Sequence, residues 1–95
     1  MKHGILLHEF EDDVGVAVED LKKGAKIGVV TLEGKAAGTI TLKNNVPLGH
    51  KVAMRDMARD KPVIKYGRPV GKAVADIVKG AHVHVHNVKT LRWTV

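Results

Sequence analysis

The chain has 95 residues, no cysteine and a formal net charge of +6. Its length indicates one domain of ordinary size, and the absence of cysteine excludes disulfides and thiolate metal sites. No apolar run approaches the roughly 20 residues that span a bilayer. Ile5-Leu6-Leu7 is too short for the apolar core of a signal peptide, so we expect a soluble cytoplasmic protein with no membrane partner.

The positive charge is concentrated in the later part of the chain. From Lys35 onward, twelve Lys and Arg residues stand against three acidic ones. A basic surface attracts phosphate or carboxylate groups, so nucleic acid, an anionic small molecule and an acidic protein surface are all candidate partners. Single-strand binders stack bases on several aromatic rings, and this chain offers only Phe10, Tyr66 and Trp93. Nucleic acid is therefore the weakest of the three candidates.

The pattern of apolar residues predicts a mainly β protein with short helical turns. In the first half we predict strands at residues 4–8, 14–18, 26–32 and 39–42, with Glu33-Gly34-Lys35 closing a hairpin between the last two. In the second half we predict a strand at 63–66, a turn at 67–71, a histidine-rich strand within 80–87 and a last strand at 90–95. Residues 52–58 could instead form a helix of two turns, which Pro62 would prevent from extending.

An internal repeat occurs three times, at residues 17–24, 53–60 and 73–80. Each copy has Ala, Asp three positions later, then an apolar residue, a basic residue two positions on, and finally Gly or Asp. We interpret each copy as one helical turn that ends at a residue tolerant of positive φ and leads into a strand. The Asp is expected to accept local backbone N–H bonds, which is a structural role.

Three histidines, His82, His84 and His86, alternate with valines near the C-terminus. In an extended strand these imidazoles share one face. Histidine titrates near neutral pH and is the commonest metal ligand. The face could therefore bind an anionic substrate, carry acid–base groups, or bind a metal ion through two of the three imidazoles. A solvated strand face is the alternative.

Two further segments carry candidate site residues. His50 and Lys51 follow Gly49 at the start of a predicted turn, where backbone N–H groups favour anions, although a solvated loop would look the same. Lys65 and Tyr66 should point to opposite faces of a strand, so at most one of them lines a shared site. We expect Lys65 to contact a substrate anion and Tyr66 to lie in the core with its hydroxyl at the edge.

An ordered set of motifs gives the chain a family resemblance. They are residues 47–53, 63–67, 69–71, 76–77 and 80–87, together with Leu7-His8 and residues 12–17 near the start. In this order they resemble the N-terminal SAF-type domain of the altronate/galactarate dehydratase family. Asp13 and Gly15 depart from that family's opening block, which usually has Asn and Ala there. The resemblance covers nearly the whole chain.

The resemblance implies a SAF-like β-clip fold in which residues 1–95 form a single domain. It also implies the small subunit of a sugar-acid dehydratase, a hydro-lyase, whose partner is a large catalytic subunit and whose substrate is an anionic sugar acid. The isolated chain is expected to be inactive. The small subunit of sulfolactate sulfo-lyase, from the same group, is one alternative, and a basic carbohydrate- or nucleic-acid-binding β module is another. Assembly with copies of itself stays open.

The family reaction removes water from a sugar acid to give a 2-keto-3-deoxy acid. A base takes the proton next to the carboxylate, a metal ion or cations stabilise the enediolate, and an acid protonates the leaving hydroxyl. The resemblance implies a divalent metal ion, iron or manganese, held mainly by the partner subunit. Within this chain we assign residues to three roles: His84 and His86 to catalysis, His82 and His84 to metal binding, and His50, Lys51, Lys65, His82 and Asn87 to substrate binding.

Overall fold

The computed structural model of the chain describes residues 3–84 and 87–90, and within these it contains nine strands and no helix. The mainly β prediction is therefore confirmed, and nothing in the described part could cross a membrane as a helix. The strands are β1 (His3–Leu7), β2 (Val14–Ala17), β3 (Lys26–Thr31), β4 (Ala36–Thr41), β5 (Lys51–Ala53), β6 (Pro62–Lys65), β7 (Arg68–Ala73), β8 (His82–Val83) and β9 (Val88–Thr90).

The strands form two sheets. Six strands pair in the order β4-β3-β1-β2-β5-β8, and three pair in the order β6-β7-β9. The β1–β3 pair is parallel and the other pairs are antiparallel. Strand β2 lies between β1 and β5, with Ile5 opposite Ala17 and Val52 opposite Gly15. The first half of the chain thereby pairs directly with the second half.

The buried apolar side chains form two clusters, because alternate residues of each strand face inward. The larger cluster is Ile5, Leu7, Ala17, Leu21, Val29, Ile40, Leu42, Val46 and Val52. The smaller one is Val14, Ala53, Met57, Val63, Ala73, Ile77 and Val83. Strands β2 and β5 contribute to both clusters, so they connect the two packed regions.

The repeated segments form the corners of the fold, and they work in pairs. Residues 53–60 pair with 73–80, while 17–24 pair with 42–49, a fourth copy that the sequence analysis did not identify. In the first of these pairs Met57 and Ile77 exchange two backbone hydrogen bonds of 2.7 and 2.8 Å. In the second pair Leu21 and Val46 do the same, at 2.8 and 2.9 Å. All four of these apolar side chains are buried.

Each copy also sends a side-chain oxygen across to its paired copy. The acceptor–donor pairs are Asp20 with Leu48 N–H, Asn45 with Lys23 N–H, Asp56 with Lys79 N–H and Asp76 with Arg59 N–H, at 2.7–2.9 Å. The prediction of local bonds was therefore wrong, because each oxygen reaches a residue 17 to 28 positions away in sequence. The structural role that was assigned to these Asp residues agrees with the bonds they make.

The backbone of each copy is a bend, a bridge and a tight turn rather than a turn of helix. The closing residue has positive φ as expected, namely Gly24 (86°), Gly49 (84°), Asp60 (74°) and Gly80 (89°). The alternative helix at 52–58 was wrong, because those residues are the end of β5 followed by one of these turns. The predicted turn at 67–71 was also wrong, since β7 begins at Arg68 and only Tyr66-Gly67 turn. Beyond Thr90, the predicted last strand and Trp93 lie outside the described residues.

Gly80 provides a sharp test of this corner geometry. A Cβ at Gly80 would collide with the backbone oxygen of Thr41, whereas a Cβ at Gly24, which has nearly the same φ, would meet nothing within 4 Å. Gly24→Ala should lose about 1–2 kcal/mol of unfolding free energy from the left-handed backbone alone. Gly80→Ala should lose at least about 3 kcal/mol, because a packed backbone must also move. Urea denaturation of both variants checks this, and equal losses would contradict the described packing.

Candidate functional site

Three histidines from two separated segments meet at one edge of the six-stranded sheet. His50 directly precedes β5, His82 lies in β8, and His84 follows it. Strands β5 and β8 pair antiparallel with Val52 opposite His82, which brings His50 beside the histidine-rich segment. The predicted strand is shorter than expected, since β8 ends at Val83. His86 lies outside the described residues.

The three imidazoles form a stack, which we call the histidine cluster (His50, His82 and His84). His50 Nδ1 lies 2.8 Å from His82 Nε2, a hydrogen bond between two rings. The ring centroid of His50 lies 5.0 Å from that of His82 and 4.2 Å from that of His84, and the rings are within 30° of parallel. One nitrogen from each ring can be chosen so that all three lie within 4.8 Å of one another. Such a group has the donor set of a metal site.

Two asparagine side chains hold the backbone of this segment. Asn44 Oδ1 accepts the His82 N–H at 2.9 Å. Asn87 Oδ1 accepts the His84 N–H at 2.9 Å, and Asn87 Nδ2 donates to the His82 carbonyl at 2.8 Å. Asn87 therefore fixes the backbone at the end of β8. Its assignment to substrate binding stays a prediction.

A cavity of about 290 Å³ adjoins the histidine cluster. Its lining is mostly apolar, with Lys51 and His84 as the polar contributors: Val14, Lys51, Val63, Val70, Val83, His84 and Val88. Lys51 is half-buried and His84 is exposed. An ammonium group and an imidazole thus border a small apolar space, an arrangement that suits an acidic ligand with a short carbon chain.

Lys65 is not part of this group. The His50 carbonyl accepts the Ala17 N–H at one end of β2, whereas the Ile64 carbonyl accepts the Asp13 N–H at the other end. Four residues of strand, about 13 Å, separate these two contacts. The structure therefore brings His50, Lys51, His82 and His84 together and places Lys65 at the opposite end of β2.

At that opposite end, Lys65 belongs to a second group of side chains. It is buried, with its Nζ 4.3 Å from the centroid of the Tyr66 ring, and the His8 ring meets Tyr66 edge-on at 4.6 Å. The expectation that Tyr66 lies in the core was wrong, because its side chain is 52% exposed and its backbone has φ of 57°. Tyr66 and Gly67 both adopt positive φ, the backbone of the two-residue turns that favour hairpins.

Burial lowers the pKa of the Lys65 ammonium group from its ordinary value of 10.5, and the negative charge of Asp12 partly offsets this. Burial of Lys65 is not evident from the sequence, since lysine is rarely buried without a partner. A buried ammonium next to an aromatic face and a carboxylate serves the packing of this corner. We therefore treat Lys65 as a structural residue.

Asp12 and Asp13 are important residues to which the sequence analysis assigned no role beyond the family resemblance. Both are buried. Asp12 accepts backbone N–H bonds from Glu9, Tyr66 and Gly67 at 3.0–3.2 Å. Asp13 accepts from Lys61 Nζ at 2.6 Å and from the Ile64 N–H at 2.8 Å, with Arg55 Nε at 3.4 Å. The available signal was two acidic residues placed directly before an apolar strand.

Neutralising Asp13 should destabilise the fold. Hydrogen bonds to a charged group contribute about 1.5–3 kcal/mol, and Asn keeps only one accepting oxygen for three donors. We expect Asp13→Asn to lose about 2 kcal/mol of unfolding free energy in urea denaturation. The exposed neighbour Glu11 supplies a matched control, since Glu11→Gln should stay within about 0.5 kcal/mol of the parent. Equal effects of the two changes would rule out the role given to Asp13.

The lowered pKa of Lys65 has a consequence for the pH dependence of stability. Between this lowered pKa and the ordinary value of 10.5, the unfolded chain binds more protons at Lys65 than the native chain does. The unfolding free energy therefore gains a positive contribution as pH rises through that window. We expect the stability difference between the parent chain and Lys65→Met to shift in the parent's favour with rising pH. Denaturation at a series of alkaline pH values measures it, and a difference independent of pH would be inconsistent with the burial of this amine.

Comparison with known proteins agrees with the family resemblance. The sequence profile of the altronate/galactarate dehydratase SAF domain matches residues 2–91, so the chain belongs to this family. It is 40% identical over 94 residues to the (2R)-sulfolactate sulfo-lyase subunit alpha of Chromohalobacter salexigens, which covers 98% of this chain and 100% of that protein.

The altronate dehydratases are also similar but much longer. The chain is 46% identical over 79 residues to that of Escherichia coli, covering 83% of this chain and 15% of the enzyme. It is 36% identical over 90 residues to that of Bacillus subtilis, covering 95% of this chain and 17% of the enzyme. The chain thus corresponds to a whole subunit of one relative and to a small part of the others, and all three relatives are lyases by name.

Proposed function

We propose that residues 1–95 are the single SAF domain of a cytoplasmic lyase that acts on a 2-hydroxycarboxylate, and that the histidine cluster contacts this substrate where a large catalytic subunit closes over it. The observation that supports the proposal most is the meeting of His50 with His82, 32 residues further along the chain. His84, which stacks on His50, borders the same cavity as Lys51. Membership of the dehydratase SAF family supplies the reaction class.

The names of the relatives point to two substrates with a shared chemical core. Altronate and sulfolactate both have a carboxylate next to a carbon that carries a hydroxyl group, with the leaving group on the following carbon. In both cases a base can take the proton next to the carboxylate, and the negative charge that develops on the carboxylate needs cations or a metal ion. The reactions differ in the leaving group, which is water in one and sulfite in the other.

The residues of this chain suit the steps common to both reactions. The ammonium group of Lys51 would pair with the substrate carboxylate. The hydrogen bond between His50 and His82 requires one of its two nitrogens to lack a proton, so this pair can accept a proton or pass one on. His84 is exposed and borders the cavity, where it would act as the acid or base. His86, which is assigned to catalysis from the sequence alone, would have the same role.

The expected divalent metal ion also fits the side chains of the histidine cluster. Neutral imidazole nitrogens suit iron and other transition metals, and His82 and His84 are the ligands that the sequence analysis assigned. Iron or manganese, held mainly by the large subunit, would stabilise the enediolate as a Lewis acid. The residues of this chain would orient the substrate and exclude water from it.

We favour the sugar-acid dehydratase as the reaction, with sulfolactate sulfo-lyase as the second candidate. The dehydratase reaction is supported by membership of the SAF-domain family and by the 46% identity to the altronate dehydratase of Escherichia coli. The sulfo-lyase reaction is supported by a different observation, the match of this chain to the full length of the sulfolactate sulfo-lyase alpha subunit. The two reactions release different products, water and sulfite, so an assay for sulfite separates them.

The test is reconstitution with the large chain that co-purifies with this protein from its native cell. The complex should form a 2-keto acid from altronate or galactarate, or release sulfite from sulfolactate, whereas this chain alone should do neither. General acid–base groups contribute about 10²–10⁴-fold, so His84→Ala should lower kcat/KM of the complex at least about 100-fold.

The exposed His3 at the start of β1 supplies the matched control. His3→Ala should leave kcat/KM of the complex within about threefold of the parent, since a change at an exposed side chain outside the histidine cluster acts weakly. A complex that is inactive on all three acids would refute the lyase assignment. Full activity of His84→Ala would refute the role of the histidine cluster instead.

A further inference from the structure

We propose that His50, His82 and His84 together form a complete three-ligand site for a divalent transition metal ion, so that this chain holds the ion without ligands from a partner, in place of the ion expected mainly in the large subunit. The three donor nitrogens lie within 4.8 Å of one another, and His50, which the sequence analysis assigned only to substrate, supplies the third. The catalytic meaning of such a site rests on the proposed function, whereas ion binding itself does not.

The fold fixes the backbone of all three ligands before any ion arrives. The His50 N–H donates to the Pro47 carbonyl at 3.0 Å within the tight turn that Gly49 permits. The His82 and His84 N–H groups donate to Asn44 and Asn87. A ligand set whose backbone is already held loses little conformational entropy on binding, which favours affinity.

The distances suit one small ion. Two nitrogens bound to the same ion at about 2.1 Å stand about 3.0–3.4 Å apart in octahedral or tetrahedral geometry. His50 Nδ1 and His82 Nε2 are 2.8 Å apart, so the ion would replace their hydrogen bond after a small outward rotation. The third nitrogen, within 4.8 Å, would need to move closer by less than about 2 Å, which a change in imidazole torsion angles provides.

The chemistry of the group favours an ion over a simple anion pocket. A hydrogen bond between two imidazoles leaves at least one of them neutral, and a neutral imidazole offers a lone pair rather than a positive charge. Three nitrogen donors select zinc, cobalt, nickel, copper or iron over magnesium and calcium, which prefer oxygen. His84 is exposed, so the ion would keep open positions towards solvent, where the oxygens of a hydroxycarboxylate could bind.

Cobalt(II) is the appropriate probe, because its visible absorption reports the number and geometry of its ligands. We would titrate the tag-free chain with Co²⁺ alone and then displace the cobalt with Zn²⁺. We expect one ion per chain, a visible spectrum typical of nitrogen ligands, and displacement by one equivalent of zinc. Loss of groups that merely support metal ligands weakens binding about 10–100-fold, so loss of a ligand should weaken it at least as much.

Five variants decide the ligand set. His50→Ala, His82→Ala and His84→Ala should each weaken Co²⁺ binding by at least about 10-fold, while His3→Ala and His8→Ala should leave it unchanged. His50→Gln, which keeps most of the side-chain volume, replaces His50→Ala if that variant unfolds in urea at lower concentration than the parent. Parent-like Co²⁺ affinity in the folded His50 variant would overturn the three-ligand site, as would a parent chain that binds Co²⁺ no better than His84→Ala.

The outcome is separable from that of the proposed function. A reconstituted complex that turns over substrate although this chain binds no Co²⁺ would remove the metal inference and leave the lyase assignment standing. If instead the chain binds one Co²⁺ through the three histidines and the complex turns over none of the three acids, the lyase assignment is removed and the metal inference stands.

Discussion

The exchange of backbone hydrogen bonds between paired turns is the interaction on which this fold depends. The described part of the chain has short strands and no helix, so its corners must satisfy their own polar groups. They do so in two reciprocal pairs, Leu21 with Val46 and Met57 with Ile77, each capped from both sides by Asp or Asn. The apolar side chain at the middle of each turn is buried, so hydrogen bonding and core packing occur at the same residues.

These paired turns also position the histidine cluster. Gly80 closes one turn, packs against Thr41 and accepts a hydrogen bond from the Lys43 N–H, which ties it to the other half of the chain. Asn44, in the same segment as Lys43, accepts from the N–H of His82. The backbone beside His82 is thus held by the first half of the chain, while its side chain meets His50. Contacts from the first half of the chain thus support a cluster that the β5–β8 pairing brings together.

The sequence predicted the elements that depend on local pattern. The alternating apolar residues gave β1, β2, β3 and β4, and the spacing within the repeat gave the positive φ values at Gly24, Asp60 and Gly80. The fourth copy at 42–49 was missed because Leu42, Asn45 and Leu48 replace the Ala, Asp and basic residue of the other copies. Its role depends on pairing with residues 17–24, a long-range contact that composition does not reveal.

The candidate site was also predictable only in part, because some of its contacts depend on long-range strand pairing. Alternation in the sequence predicts that His82 and His84 share a face. The stacking of the His50 ring on both of them follows instead from the β5–β8 register. Lys65 and Lys51 were alike in the sequence analysis, since both were bases assigned to substrate binding. Whether such a base faces a cavity or is buried beside Asp12 depends on which strand it pairs with.

The two ends of β2 therefore serve different purposes. At one end the buried carboxylates of Asp12 and Asp13 are saturated by backbone N–H groups and by Lys61, so their charges are used in holding the sheets together. At the other end the imidazoles bond to each other, and exposed His84 keeps capacity for a ligand. Saturated charge gives rigidity, whereas an exposed imidazole stays accessible to a ligand. A domain of this size can leave the edge with the histidine cluster open because its stabilising charges lie a strand's length away.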